Sequence, residues 1–216
     1  ILIIFFIFNK YNILIGTKFS LIDKNKNVSV AFYPNYFLRE NSIFQPLSGV
    51  SNSLTIICNE NGYISTYLSD RFGFNNPDEE WDGVEVEYLI IGDSFAHGAC
   101  VNRPNDIASI LRNLTNKKIL NLGYGDIGPL FEYAILREYI QKNTKKILWL
   151  YYEGNDQSDL NKELDNKFLD NYLLDSKFSQ GLIKRQTEVD ELIKKKIPDL
   201  LKYKEELKNK ENIKYK

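Results

Sequence analysis

Val84-Glu85-Val86-Glu87-Tyr88-Leu89-Ile90-Ile91-Gly92-Asp93-Ser94 decides the fold: a β-branched, apolar run that stops at a glycine and a short polar loop. Two later segments repeat the pattern. Lys118 to Leu122 ends in Gly123-Tyr124-Gly125-Asp126-Ile127-Gly128, and Lys146 to Tyr152 ends in Glu153-Gly154-Asn155-Asp156. Between the runs lie helical patterns. Pro104 starts one through Ile107, Ala108, Leu111 and Leu114, and Pro129 opens another through Leu130, Tyr133, Ala134, Arg137 and Ile140; proline suits a first helical turn. Strand, helix, strand, helix, strand at a repeat of about 30 residues predicts two βαβ units with parallel strands. Right-handed crossovers then bring all three strand ends to one edge, where open α/β sheets bind their ligands.

The three loops carry residues suited to one chemistry. Ser94 follows a strand end and precedes a helix, so its hydroxyl can be exposed as a nucleophile and its N–H can donate to a developing oxyanion. The glycine loop brings a second N–H, and the Asn155 amide offers a third donor. A nucleophile with three donors is what acyl-ester cleavage needs, because negative charge develops on the carbonyl oxygen. Each residue also has an ordinary reading. Ser94 is a preferred helix N-cap type, Asn155 a common turn residue, and Asp93 a residue that stabilises turns. Tyr151 and Tyr152 read as core and rim packing, and Leu160, Leu164, Phe168 and Tyr172 as a helix packing stripe.

Leu89-Ile90-Ile91-Gly92-Asp93-Ser94-Phe95 resembles the first block of the SGNH/GDSL hydrolases. Asn121-Leu122-Gly123-Tyr124-Gly125 is similar to their second block, and Glu153-Gly154-Asn155-Asp156 to their third, in the same order. The likeness covers residues 60 to 180. It implies a three-layer α/β/α sandwich with a parallel sheet in flavodoxin-like order, incomplete at the C-terminus. It implies Ser94 as nucleophile, with the Ser94 N–H, the Gly125 (or Asp126) N–H and the Asn155 amide as the oxyanion hole. Implied substrates are O-acyl esters, such as acetyl esters, of glycans, lipids or small acids, with hydrolysis or transfer of the acyl group as the outcome. No metal or organic cofactor is implied. The details look most like a bacterial subgroup with an N-terminal anchor, associated with surface polysaccharide.

The pattern departs from the family at named places. Its base is a histidine near the C-terminus, usually with an Asp three residues before it. Here no Asp-x-x-His follows Asn155, and the single histidine is His97, one helical turn after Ser94. Positions i and i+3 are neighbours on a helix, but a base must also be oriented by a third group. His97 is therefore expected beside the site, with Asp93, and the base is expected beyond Lys216. Asp126 stands where the second block usually has glycine, so a left-handed backbone there would be strained. Glu153 stands where glycine is commoner in the third block.

Two competing readings remain. Without a base, the domain would keep only an acyl- or glycan-binding cleft. Alternatively, Gly123-x-Gly125-x-x-Gly128 follows a strand and opens a helix like the dinucleotide fingerprint, with Glu153 placed to bind a ribose, as in an oxidoreductase.

Composition bounds the rest. The chain has 216 residues, a net charge of -1, 43% hydrophobic and 26% charged residues. That is globular composition, with no electrostatic case for a nucleic-acid partner. Cys58 and Cys100 are too few for a disulfide framework and have no metal-ligand spacing. There is no methionine and the chain begins at Ile1, so a processed product or fragment is expected. Ile1 to Phe8 is apolar but shorter than the roughly 20 residues of a span. Residues 1–20 read as a remnant of a membrane anchor or signal segment, implying a membrane-anchored or extracytoplasmic, periplasmic-side location; the other expectation is cytoplasmic. Residues 28–83 read as an irregular β-rich region containing a hairpin, Leu54 to Cys58 and Tyr63 to Leu68 around Asn61-Gly62. Residues 84–183 form the α/β core. Residues 184–216 read as a charged, solvated helical tail with a broken apolar stripe, kinked or ended at Pro198.

Overall fold

The computed structural model describes residues 28–31, 44–58, 63–83 and 85–199. The anchor expectation at residues 1–20 and the tail beyond 199 lie outside them. Among the described residues there are six strands: β1 (Val28–Val30), β2 (Leu54–Cys58), β3 (Ser65–Leu68), β4 (Val86–Gly92), β5 (Ile119–Asn121) and β6 (Thr144–Leu150). The helices are α1 (Ser94–His97), α2 (Ile107–Thr115), α3 (Pro129–Tyr139), α4 (Asp156–Glu163) and α5 (Lys167–Leu174), followed by α6 over 186–199. Short 3-10 turns occupy Asp78–Trp81 and Leu182–Lys184.

The mixed α/β class expected from sequence is present. β5, β4 and β6 form a parallel sheet in that order, with Leu89 opposite Leu120 on one side and Ile147 on the other. All three polar loops therefore leave the same edge. Leu89, Ile90 and Ile91 in the central strand are almost wholly buried, as parallel strands covered on both faces must be. Ile90 packs with Ala96, Ala108 and Ile119. Leu89 and Ile91 join the other cluster with Leu130, Phe131 and Ala134 of α3. Full burial of each such side chain contributes about 1.5–3 kcal/mol.

The expected hairpin is present as antiparallel β2 and β3, and β1 adds to β2 in parallel. This second sheet shares the main core through Val30 and Ile56. Its attachment runs through Asp70, which is wholly buried. The Asp70 carboxylate accepts from the Phe72 and Phe74 N–H groups, the Asn76 amide and the Trp81 indole. Burial nevertheless pushes its pKa up to about 6. Cys58, at the end of β2, is disulfide-bonded to Cys100 just past α1, with Cα atoms 4.9 Å apart.

Three expectations about helices are corrected. Helix α2 begins at Ile107 rather than Pro104, because the Asp106 side chain accepts from the Ser109 N–H and is the stronger cap. The stripe from Leu160 to Tyr172 is split between two helices, because Asn166 caps α5 by accepting from the Phe168 and Leu169 N–H groups. The described part of the segment read as a solvated tail, up to residue 199, instead packs on the core: Val189 and Ile193 are fully buried and Ile197 nearly so. Their i, i+4 spacing is a complete stripe. Pro198 is the penultimate described residue of α6, which passes through it.

Candidate active site

The turn from β4 into α1 forces a glycine. Gly92 has φ +148, and a Cβ there would lie 2.7 Å from the Leu150 carbonyl oxygen and 3.0 Å from the Ala96 Cβ. Asp93 caps the one-turn helix, accepting from the Phe95 N–H at 3.0 Å. Ser94 is therefore the first helical residue and not the cap, which frees its hydroxyl. Asp93 is 3% exposed, and its second carboxylate oxygen lies 3.5 Å from the Ser94 Oγ and 3.4 Å from the Asn155 Nδ2.

Asn155 sits at the N-cap position of α4, yet its side chain makes no bond to its own helix end. The amide donates to Asp159 at 3.0 Å and reaches toward the Asp93 oxygen that also faces the Ser94 Oγ. An asparagine serving only its turn would cap the helix. The loop after β5 reaches the same place, since a Cβ on Gly125 would lie 3.8 Å from the Ser94 Cβ. Ser94, Gly125 and Asn155 thus meet at the strand ends. Asp126 is exposed, with φ +65, which is the strained left-handed backbone expected for a non-glycine residue there.

His97 is 1% exposed. Its Nδ1 accepts the Gly125 N–H at 3.0 Å, and its Nε2 is 2.9 Å from the Tyr67 hydroxyl. The ring stacks on Tyr124 with centroids 4.4 Å apart. An Nδ1 that accepts leaves the proton on Nε2, so the hydrogen bonds fix a neutral tautomer that donates to Tyr67. Burial pushes the His97 pKa down to about 3. With both ring nitrogens engaged away from Ser94, His97 does not serve as its base. The Gly125 N–H, expected in the oxyanion hole, is committed to His97 in this state.

The glycines of the would-be dinucleotide fingerprint have packing duties. A Cβ on Gly123 would lie 2.4 Å from the Ala96 Cβ, and one on Gly128 would lie 2.8 Å from the Glu163 carboxylate. That carboxylate accepts from the Gly128, Leu130 and Phe131 N–H groups. It occupies the N-terminus of α3, where a pyrophosphate would have to sit. Burial raises the Glu163 pKa to about 7 despite these donors.

Sequence reasoning missed several neighbours. Glu132 is buried on α3, accepts from the Trp149 indole, and has one carboxyl oxygen without a partner. Burial pushes its pKa up to about 8, with Asp156 and Asp93 adding to the shift. Burial also raises Asp156, which accepts from the Tyr152 N–H at 2.5 Å. At the mouth, Phe95 and Tyr152 are about half exposed and meet edge to face at 5.0 Å. Tyr152 lies across Gly154, where a Cβ would sit 2.5 Å from the ring. Tyr151 and Tyr152 therefore form an exposed rim, not core. A cleft of about 590 Å³, lined by Leu68, Pro77, Arg103 and Arg112 among others, contains none of the three loops. Its two arginines share the lining with Asp78 and Glu79, and Glu80 is paired to Arg112, so it offers no net positive charge for an anion.

Among the described residues no group of His, Cys, Asp or Glu is arranged to hold a metal ion, and no helix is long and apolar enough to cross a membrane. Comparison with protein-family models, curated proteins and solved structures returned no match.

Proposed function

We propose that the chain carries the acyl-ester site of an SGNH/GDSL-type hydrolase or acyltransferase, on the three-layer sandwich of that family. The observation that carries the reading is the meeting of Ser94, Gly125 and Asn155 at the ends of three parallel strands, with neither Ser94 nor Asn155 spent on capping. In this reading the Ser94 Oγ attacks an ester carbonyl, forms an acyl-enzyme and passes the acyl group to water or to a sugar hydroxyl. The Ser94 N–H and the Asn155 amide stabilise the oxyanion. The third donor is the N–H of the neighbouring Asp126, since the Gly125 N–H is held by His97. The reading also needs a general base for the Ser94 proton, and both ring nitrogens of His97 are engaged elsewhere. The half-exposed aromatic rim suits an acylated glycan or lipid ester. The disulfide favours an extracytoplasmic, oxidising location, with anchorage through the N-terminus.

A second reading is an ester- or glycan-binding domain without turnover. The burial of the single histidine against Tyr67, and the exposed Asp126 carboxylate beside the oxyanion position, favour it.

Fluorophosphonate labelling of the full-length protein separates the two. The expected result is labelling of Ser94 that disappears in Ser94→Ala. Labelling that persists in that variant overturns the nucleophile assignment; ester binding without labelling supports the second reading. Asn155→Ala should lower turnover roughly 100-fold, and near-normal turnover would return Asn155 to a turn residue.

A further inference from the structure

We propose that His97 is a positioning residue: its unprotonated Nδ1 holds the glycine loop at a set distance from Ser94, and Tyr67 on the second sheet anchors the far side of the ring that does so. The inference rests on the ester reading for its purpose, but its geometry stands separately.

His97 and Ser94 share a single helical turn, so whatever binds the His97 ring is placed relative to the Ser94 hydroxyl. What binds it is the Gly125 N–H, at 3.0 Å, on the loop that approaches Ser94 from the next strand. The other ring nitrogen meets the Tyr67 hydroxyl at 2.9 Å, and the ring is pressed between Tyr124 and Tyr67. The backbone carbonyl of His97 is also held, by the Asn75 amide at 2.9 Å. Three separate segments thus converge on one residue, two of them on its ring. Only the tautomer protonated at Nε2 satisfies both ring contacts, because the other would set two N–H groups against each other at Gly125. Removing the Tyr67 oxygen leaves the buried Nε2–H without its acceptor and loosens the ring. A displacement of about 1 Å at a reacting site costs on the order of 100-fold in rate, so the loop position has a kinetic readout.

The test uses side chains that mimic one ring nitrogen each. In His97→Asn the carbonyl oxygen falls near the Nδ1 position; in His97→Gln it falls near Nε2. Filling the cavity favours the larger Gln, whereas accepting from Gly125 favours Asn. Two readouts on the full-length protein are compared: the hydrogen-exchange protection and amide shift of Gly125 by NMR, and the rate of fluorophosphonate labelling. We expect His97→Asn to keep the Gly125 amide protected and to label within about 10-fold of wild type. His97→Gln should lose that protection and label about 100-fold more slowly. Tyr67→Phe, which keeps the ring volume, should partly release the Gly125 amide and slow labelling by an intermediate factor. Gln matching or exceeding Asn in both readouts overturns the proposal, as does an unchanged Gly125 amide in Tyr67→Phe. If the histidine variants fail to fold, Tyr67→Phe decides alone. Absence of labelling in the wild type sinks the ester reading, and the Gly125 amide then judges the His97 proposal by itself.

Discussion

Strands β5 and β6 flank the same central strand, yet their outer edges are treated in opposite ways. β5 is buried throughout, and side chains stand in for a neighbouring strand. The Asn76 amide donates to the Asn121 carbonyl and accepts the Asn121 N–H, both at 2.8 Å, while Glu80 accepts the Ile119 N–H and Arg112 donates to the Ile119 carbonyl. Along β6, Ile147 and Trp149 are each 43% exposed, and among the described residues no strand pairs with its outer edge. An edge strand presents unpaired backbone groups that a protein must pair, cover or charge. β5 is covered by a polar network from the segment between β3 and β4 and from α2, whereas only the start of β6 is charged, through Lys145 and Lys146 paired with Glu85 and Glu87. The contrast teaches that the connection between β3 and β4 is a structural part of the site-bearing sheet, because it supplies most of the seal for β5.

Four perturbations break or sharpen this contrast. The largest effect is expected from Asn76→Ala, which strips partners from Asp70, Asn121 and Arg112 at once; a loss of about 4 kcal/mol in urea unfolding is expected. On the β6 side, the buried Glu132 beneath Trp149 should make stability depend on pH. Its native pKa of about 8 lies well above the ordinary glutamate value of 4.5. The native state therefore keeps a proton that the unfolded chain releases, and stability falls as pH rises from about 4.5 to about 8. Glu132→Gln should flatten this slope, worth about 3 kcal/mol by pH 8, measured as unfolding midpoints at pH 5 and pH 8. Equal slopes in both proteins would place an ionised carboxylate at 132. Glu80→Gln weakens one end of the seal, where the carboxylate meets Ile119 and Arg112, and should cost about 1–2 kcal/mol. Ile147→Thr, on the bare edge, should change stability by no more than about 0.5 kcal/mol. A larger loss would show that the β6 face is covered in solution.

The parallel sheet was legible because its signals are local. Apolar runs ending in Gly92, Gly123 and Gly154, with Pro129 at the first position of α3, mark strands, loops and helix starts within a few residues each. Once the order of elements is known, parallel pairing brings Ser94, Gly125 and Asn155 together. What was not legible depends on partners far away in sequence. The role of His97 comes from Tyr67 and Gly125, and the role of Asn76 from Asn121; a single residue letter carries no sign of either. The α6 stripe was hidden because Val189, which completes the spacing to Ile193 and Ile197, lies among charged residues. The rim tyrosines were misjudged because an apolar run does not say which strand of a sheet is its edge.

The bond between Cys58 and Cys100 also acts when the protein is not folded. It joins positions 42 apart in sequence, and the intervening ring of chain includes β3, the Asp70 turn, the central strand and Ser94. Closing a ring of that size removes conformational entropy from the unfolded ensemble equivalent to about 4 kcal/mol. Tyr67 and His97 both lie within that ring, so the oxidised chain keeps them in one another's neighbourhood before any sheet has formed. Their pairing then becomes a short search inside a loop instead of an encounter between distant parts of an open coil.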